Sequence, residues 1–78
     1  YGWAVDPERV HPVSDVMAAL GVAVQEYAPA GSPVIVPTPA YMPFLTYLPA
    51  IGHPVIEVPG VEIDGRWQHD LQRIDEAF

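Results

Sequence analysis

The order of apolar runs in this chain predicts an α/β fold with a mainly parallel sheet and crossover helices. Three observations carry the prediction. A helix-period stretch starts at about Ser14, two short β-branched runs follow at Val34-Ile35-Val36 and Val55-Ile56-Glu57-Val58, and a second helix-period stretch lies between those runs. Strands separated by a helix in this way are expected to lie parallel, joined by a right-handed crossover.

The first eleven residues include Asp6-Pro7-Glu8 and His11-Pro12 and read as a turn-rich leading segment with at most a short strand near Val10. From Ser14 onward, Val16, Met17, Leu20, Ala23, Val24 and Tyr27 recur at three- and four-residue spacing, the period of a helix with one buried face. Ser14 or Asp15 supplies the N-cap. Pro29-Ala30-Gly31 ends the helix, because proline has no amide hydrogen to continue the ladder.

Val34-Ile35-Val36 lies between Pro33 and Pro37 without polar alternation, the pattern of a short strand buried on both faces. Tyr41 to Ile51 then places Phe44, Leu45, Leu48 and Ile51 on one helical stripe, with Pro43 suited to the first turn and Gly52 to the left-handed position after the end. Pro49 is expected to distort or shorten that end. The second strand, Val55 to Val58, follows at once. Asp64-Gly65 predicts a hairpin turn between Val61-Glu62-Ile63 and Arg66-Trp67-Gln68. Asp70 caps a last helix with Leu71, Ile74 and Phe78 on one face. Two strands with one helix between them leave a sheet face and both edges uncovered. Residues 1–78 are therefore expected to be a single, incomplete domain. The start at Tyr1 and the end of the last helix after two turns point the same way.

Composition limits what the chain can bind. Lys plus Arg number 3 against 10 Asp plus Glu, and the net charge of −7 repels phosphate backbones, which argues against nucleic acid. There is no cysteine, so neither a disulfide nor a thiolate metal site braces the fold. No apolar run approaches the roughly 18 residues of a membrane span, and residues 1–6 lack the basic and apolar regions of a signal peptide. These features predict a cytoplasmic chain that neither binds nor crosses a membrane. His11, His53 and His69 are too far apart in sequence for a helical metal pair. The three basic residues are Arg9, Arg66 and Arg73, so the chain contains no lysine.

Pro37-Thr38-Pro39-Ala40-Tyr41-Met42-Pro43-Phe44 follows the carboxyl end of a buried-type strand, the edge where open α/β sheets bind ligands. Prolines on both sides hold Tyr41 at a strand-to-helix junction, from which its ring can cover a flat ligand. On spacing alone it is more simply a half-buried packing residue. The helix start at Ser14, Asp15, Val16 and Met17 offers free amides and the positive dipole end to an anion such as phosphate. Every helix has such an end, and Asp15 repels an anion unless its carboxylate turns away to cap. Glu57, Glu62, Asp64, Asp70, Asp75 and Glu76 read as solvated surface charges, and Trp3 and Trp67 as packing anchors.

Four stretches together resemble a known family: residues 14–20, residues 29–44, Gly52-His53-Pro54-Val55-Ile56-Glu57-Val58-Pro59, and Asp64-Gly65-Arg66-Trp67-Gln68-His69-Asp70-Leu71. They look like the large domain of fold-type I pyridoxal-phosphate enzymes. Within that group they are most similar to the cystathionine β-lyase branch of class I/II aminotransferases, the C–S lyases of the MalY and PatB kind. The resemblance implies a fragment of a three-layer α/β/α large domain that binds pyridoxal 5'-phosphate and acts on an amino-acid substrate within a homodimer. It implies a phosphate contact at the Val16 and Met17 amides beside Asp15, where the family often carries glycine, and a ring-stacking role for Tyr41.

The same resemblance places the Schiff-base lysine and the pyridinium partner downstream, with a strand ending in Asn-Pro-x-x-x-Gly soon after Phe78. The 78 residues alone are thus expected to be inactive. β-Elimination of a thiol is the expected activity of the intact enzyme, and transamination is the alternative. A free-standing acidic interaction module is a further reading from a different class.

Overall fold

A computed structural model describes residues 1–78. Before Ser14 the chain makes one turn of 3-10 helix, Pro7–Arg9, where the Asp6 carboxylate accepts the Glu8 amide hydrogen at 3.0 Å. No strand forms near Val10, within the expectation of a turn-rich leading segment. Val10 instead donates its amide to the Pro7 carbonyl at 3.2 Å, and local capture of this kind competes with strand pairing.

Helix α1 spans Val16–Tyr27, and Asp15 rather than Ser14 is its cap. The Asp15 carboxylate accepts the Ala18 amide hydrogen at 2.7 Å, while Ser14 Oγ donates to the same carboxylate only at 3.5 Å. The helix closes where Ala28 donates to the Val24 carbonyl at 2.9 Å, one residue before Pro29. Gly21 sits in its middle and is buried. An interior glycine costs a helix roughly 0.5–1 kcal/mol relative to alanine, so close packing is the expected reason for it. The Tyr47 ring tip occupies the place a β-carbon on Gly21 would take.

Strands β1, Val34–Thr38, and β2, Val55–Pro59, pair in parallel from Val34↔Val55 to Thr38↔Pro59. Both outrun their β-branched stretches. The ladder is extended at one end by Val34 donating to the Pro54 carbonyl at 2.8 Å and at the other by Gly60 donating to the Thr38 carbonyl at 2.7 Å. The chain leaves β1 through a cis Thr38–Pro39 peptide.

Helix α2, Met42–Ala50, connects the two strands, with Tyr41 as its first flanking residue and Pro43 in the first turn. The helix ends at Ala50, one residue after Pro49 and one short of the expected Ile51. The proline sits in the last turn, and the turn is closed beyond it: His53 donates to the Leu48 carbonyl at 3.0 Å and Gly52 to the Pro49 carbonyl at 3.1 Å. This is a Schellman motif, and Gly52 supplies the left-handed residue it requires, at φ 92°.

β3, Val61–Ile63, and β4, Arg66–Gln68, form the expected antiparallel hairpin. Asp64 and Gly65 both have positive φ, 51° and 75°, as the tightest two-residue turns demand. Helix α3, Leu71–Ala77, is capped by Asp70, whose carboxylate accepts the Arg73 amide hydrogen at 3.1 Å. Both α2 and α3 rest on β1 and β2.

The core is small: Leu48, Val36, Val58 and His53 are the buried large side chains. Here burial falls short of the sequence reading. Val34, Ile35 and Ile56 are half-exposed, and the apolar positions Val16, Tyr27, Leu71 and Phe78 are exposed. The reason is geometric, since a two-stranded sheet offers each helix little surface to cover. The chain exposes 6466 Å², where a compact folded chain of its mass exposes about 4,650 Å². Its radius of gyration, 15.4 Å, exceeds the roughly 11.5 Å of a compact domain of this length.

Candidate functional site

Helix directions decide which of the candidate residues share an edge of the sheet. Ala23, Val24 and Tyr27 of α1 line an apolar groove of about 650 Å³ together with Val34 and Ile35. The carboxyl end of α1 therefore lies beside the amino end of β1. A helix of 12 residues is about 18 Å long, so the amino end of α1 points toward the opposite, carboxyl edge of the sheet. Tyr41 leaves β1 at that same edge. The contact of Gly21 with Tyr47 agrees, because each residue lies five positions after the start of its helix, Val16 and Met42.

At the α1 end the Asp15 carboxylate accepts the Ala18 amide hydrogen, the capping arrangement under which the sequence allowed an anion beside it. The Val16 and Met17 amides, the next two orphan donors of the helix, have no partner in the chain. The Val16 side chain is exposed and that of Met17 half-buried.

Tyr41 has extended backbone angles, φ −61° and ψ 121°, and its carbonyl accepts the Phe44 amide hydrogen at 3.0 Å. Its ring meets Phe44 edge-on, centroids 5.7 Å apart at 84°. The ring is 66% exposed, so it is a presented aromatic and not the half-buried packing residue that spacing alone suggests. No hydrogen bond or ring contact joins Tyr41 to residues 14–17. They share an edge without touching through such contacts.

Two features escaped the sequence reading. A cavity of about 230 Å³ opens at the same edge, lined by Thr38, Pro39, Gly60, Trp67, Gln68 and His69. Gly60, one of its lining residues, allows a close approach of neighbouring backbone: a β-carbon there would stand 3.0 Å from the Gln68 carbonyl oxygen and 3.2 Å from that of Thr38. A glycine between two strand-like runs, where no turn requires one, was the available signal. Trp67 borders this cavity 68% exposed and Trp3 is 80% exposed, so neither is the packing anchor expected within this chain.

The other feature is His53, considered from sequence only as a metal ligand. It is 3% exposed and its Nδ1 lies 2.8 Å from the Ser32 carbonyl oxygen. A carbonyl only accepts, so Nδ1 carries the hydrogen and donates it. The bond ties the turn after α1 to the corner between α2 and β2.

Comparison with known proteins gives these elements a relative. The chain is similar over its whole length to cystathionine β-lyases: it is 35% identical over 78 residues, 100% of the chain, to cystathionine beta-lyase of Corynebacterium glutamicum. The second is a particular, named enzyme, cystathionine beta-lyase PatB of Bacillus subtilis strain 168, 32% identical over 75 residues, 96% of the chain. The resemblance to the cystathionine β-lyase branch thus holds from one end of the chain to the other. The chain spans about a fifth of the length of these relatives, 20% and 19%. No protein-family model matches it. No helix is long and apolar enough to cross a membrane.

Proposed function

We propose that these residues form part of the cofactor-binding large domain of a pyridoxal-phosphate enzyme that acts on amino acids, and that its reaction is carbon–sulfur β-elimination. The observation that carries this reading is the whole-length similarity to two cystathionine β-lyases, in a chain whose Tyr41 and α1 start share the carboxyl edge of a parallel sheet. The excess exposed surface supports a larger three-layer domain, in which further helices and strands cover the groove and the sheet edges.

The residues present suit the cofactor in part. The unpartnered Val16 and Met17 amides match a phosphate, and the helix dipole adds to their pull. The open ring of Tyr41, braced by Phe44, matches the flat face of a pyridine. Asp15 suits the site only because its carboxylate is engaged with the Ala18 amide. When bound, pyridoxal phosphate supplies an electron sink for charge developing at the amino acid's α-carbon. The chain has no lysine to hold the cofactor covalently, so in this proposal that group belongs to the remainder of the protein. The roles assigned to this chain are binding and orientation: the α1 amides fix one end of the cofactor and Tyr41 fixes the plane of its ring. A homodimer in the cytoplasm belongs to the same proposal.

The test uses the full-length protein. Purified with pyridoxal phosphate, it should show the visible absorbance of bound cofactor and release pyruvate, ammonia and a thiol from cystathionine. Product that forms only when a 2-oxo acid acceptor is added would replace elimination by transamination. Absence of bound cofactor would sink both and favour an interaction module.

A further inference from the structure

We infer that the Gly21–Tyr47 contact is the positioning device that sets the two halves of the cofactor site relative to each other. The inference rests on the cofactor reading above and adds two residues to which that reading gives no cofactor contact. Gly21 is buried at the middle of α1, and a β-carbon placed there would overlap the Tyr47 hydroxyl and stand 3.2 Å from the ring carbons Cε1 and Cζ. It is the only glycine inside a helix of this chain, and the only one whose missing side chain is replaced by an aromatic ring tip from another helix.

The position of the contact gives it leverage. It lies five residues beyond Val16 on one helix and five beyond Met42 on the other, about 7.5 Å from each amino end at 1.5 Å per residue. Helices move as rigid units over so short a span. A displacement at Gly21 therefore shifts the Val16 and Met17 amides against Tyr41 by a similar amount. Amide hydrogen bonds are best over only about 0.5 Å of donor–acceptor distance, so a shift near 1 Å costs a phosphate its contacts. No hydrogen bond or ring contact links residues 14–17 to Tyr41.

The chemistry of the contact also specifies a rescue. The hydroxyl of Tyr47 makes the closest approach, and the ring carbons stand further off at 3.2 Å. Removing the oxygen with phenylalanine opens most of the space that a methyl group at residue 21 needs. Gly21→Ala and Tyr47→Phe are thus coupled changes, with opposite effects on the spacing of α1 and α2.

The experiment measures equilibrium binding of pyridoxal phosphate and of pyridoxal to the full-length apoprotein, at a temperature where circular dichroism shows each variant folded. Gly21→Ala should weaken pyridoxal phosphate by about tenfold, the scale of an overpacked contact, and pyridoxal by much less, because it is the phosphate amides that move. The double variant Gly21→Ala, Tyr47→Phe should return to within about threefold of wild type. If Gly21→Ala does not fold, the double variant and Tyr47→Trp, which enlarges the other side of the contact, carry the same expectations of recovery and loss.

Equal loss for both ligands, or no recovery on removing the hydroxyl, overturns the positioning role and leaves Gly21 as packing alone. Wild-type protein that binds no pyridoxal phosphate overturns the cofactor reading itself. Wild type that binds it while Gly21→Ala binds equally well overturns only this inference.

Discussion

Replacing His53 by leucine removes the donor that holds the Ser32 carbonyl at 2.8 Å while keeping an apolar side chain of similar bulk in a site only 3% exposed. A net hydrogen bond is worth about 0.5–1.5 kcal/mol, and an orphaned buried carbonyl adds a penalty of about 1–3 kcal/mol. Ser32 is half-exposed, so water can reach its carbonyl and the penalty sits at the low end. The sum is about 2 kcal/mol of local stability, which corresponds to a factor of about 30 in an opening equilibrium. Hydrogen exchange in the full-length protein is the suitable assay, read in peptides covering residues 29–36 and 51–56. His53→Leu should exchange about 30-fold faster there, and His53→Asn, whose side-chain amide can donate from nearly the same place, should recover part of the loss. Wild-type exchange in the leucine variant, or an asparagine variant no better than leucine, would refute a role for the bond in tying the two turns together.

Tyr41→Ala should weaken retention of pyridoxal phosphate by roughly two- to tenfold, the worth of one ring stack, whereas Tyr41→Phe should hold it nearly as well; dialysis of the full-length protein distinguishes them. Asp15→Ala removes a cap worth about 1 kcal/mol and a negative charge from the anion end of α1, so thermal stability should fall while cofactor affinity does not. Gly60→Ala forces a β-carbon to 3.0 Å from the Gln68 carbonyl oxygen, and the β3–β4 hairpin should move off the sheet edge. Quenching of Trp67 fluorescence by acrylamide, compared with wild type, reports that displacement, with Trp3 replaced by phenylalanine to isolate the signal.

Elements set by local chemistry were legible from the sequence, and surfaces set by neighbours were not. Asp70 and the Asp64-Gly65 turn act through bonds to residues within a few positions, so composition and spacing suffice to place them, and the α1 cap was narrowed to Ser14 or Asp15 in the same way. The parallel pairing of β1 and β2 followed from the helix between them. The helix end beside Pro49 was legible, whereas the Schellman bonds of Gly52 and His53 that close it depend on the chain beyond. Val10, for which the sequence allowed at most a short strand, bonds instead to the nearer Pro7 carbonyl. Of the candidate site, the free amides at the α1 start follow from any helix end, whereas the exposure of Tyr41 ran against what its spacing alone suggests. Gly60, His53 and the Gly21–Tyr47 contact were not legible, since each depends on a residue brought from another element.

The β1–β2 pair has a further consequence for any protein that contains it. Five residues of each strand present one side without a partner, about 17 Å of alternating amide and carbonyl groups along Val34–Thr38 and again along Val55–Pro59. Pro37 interrupts the donors of the first row and Pro59 those of the second. A segment laid alongside can therefore match these rows in few alignments, and the prolines act as a reading frame for whichever strands complete the sheet.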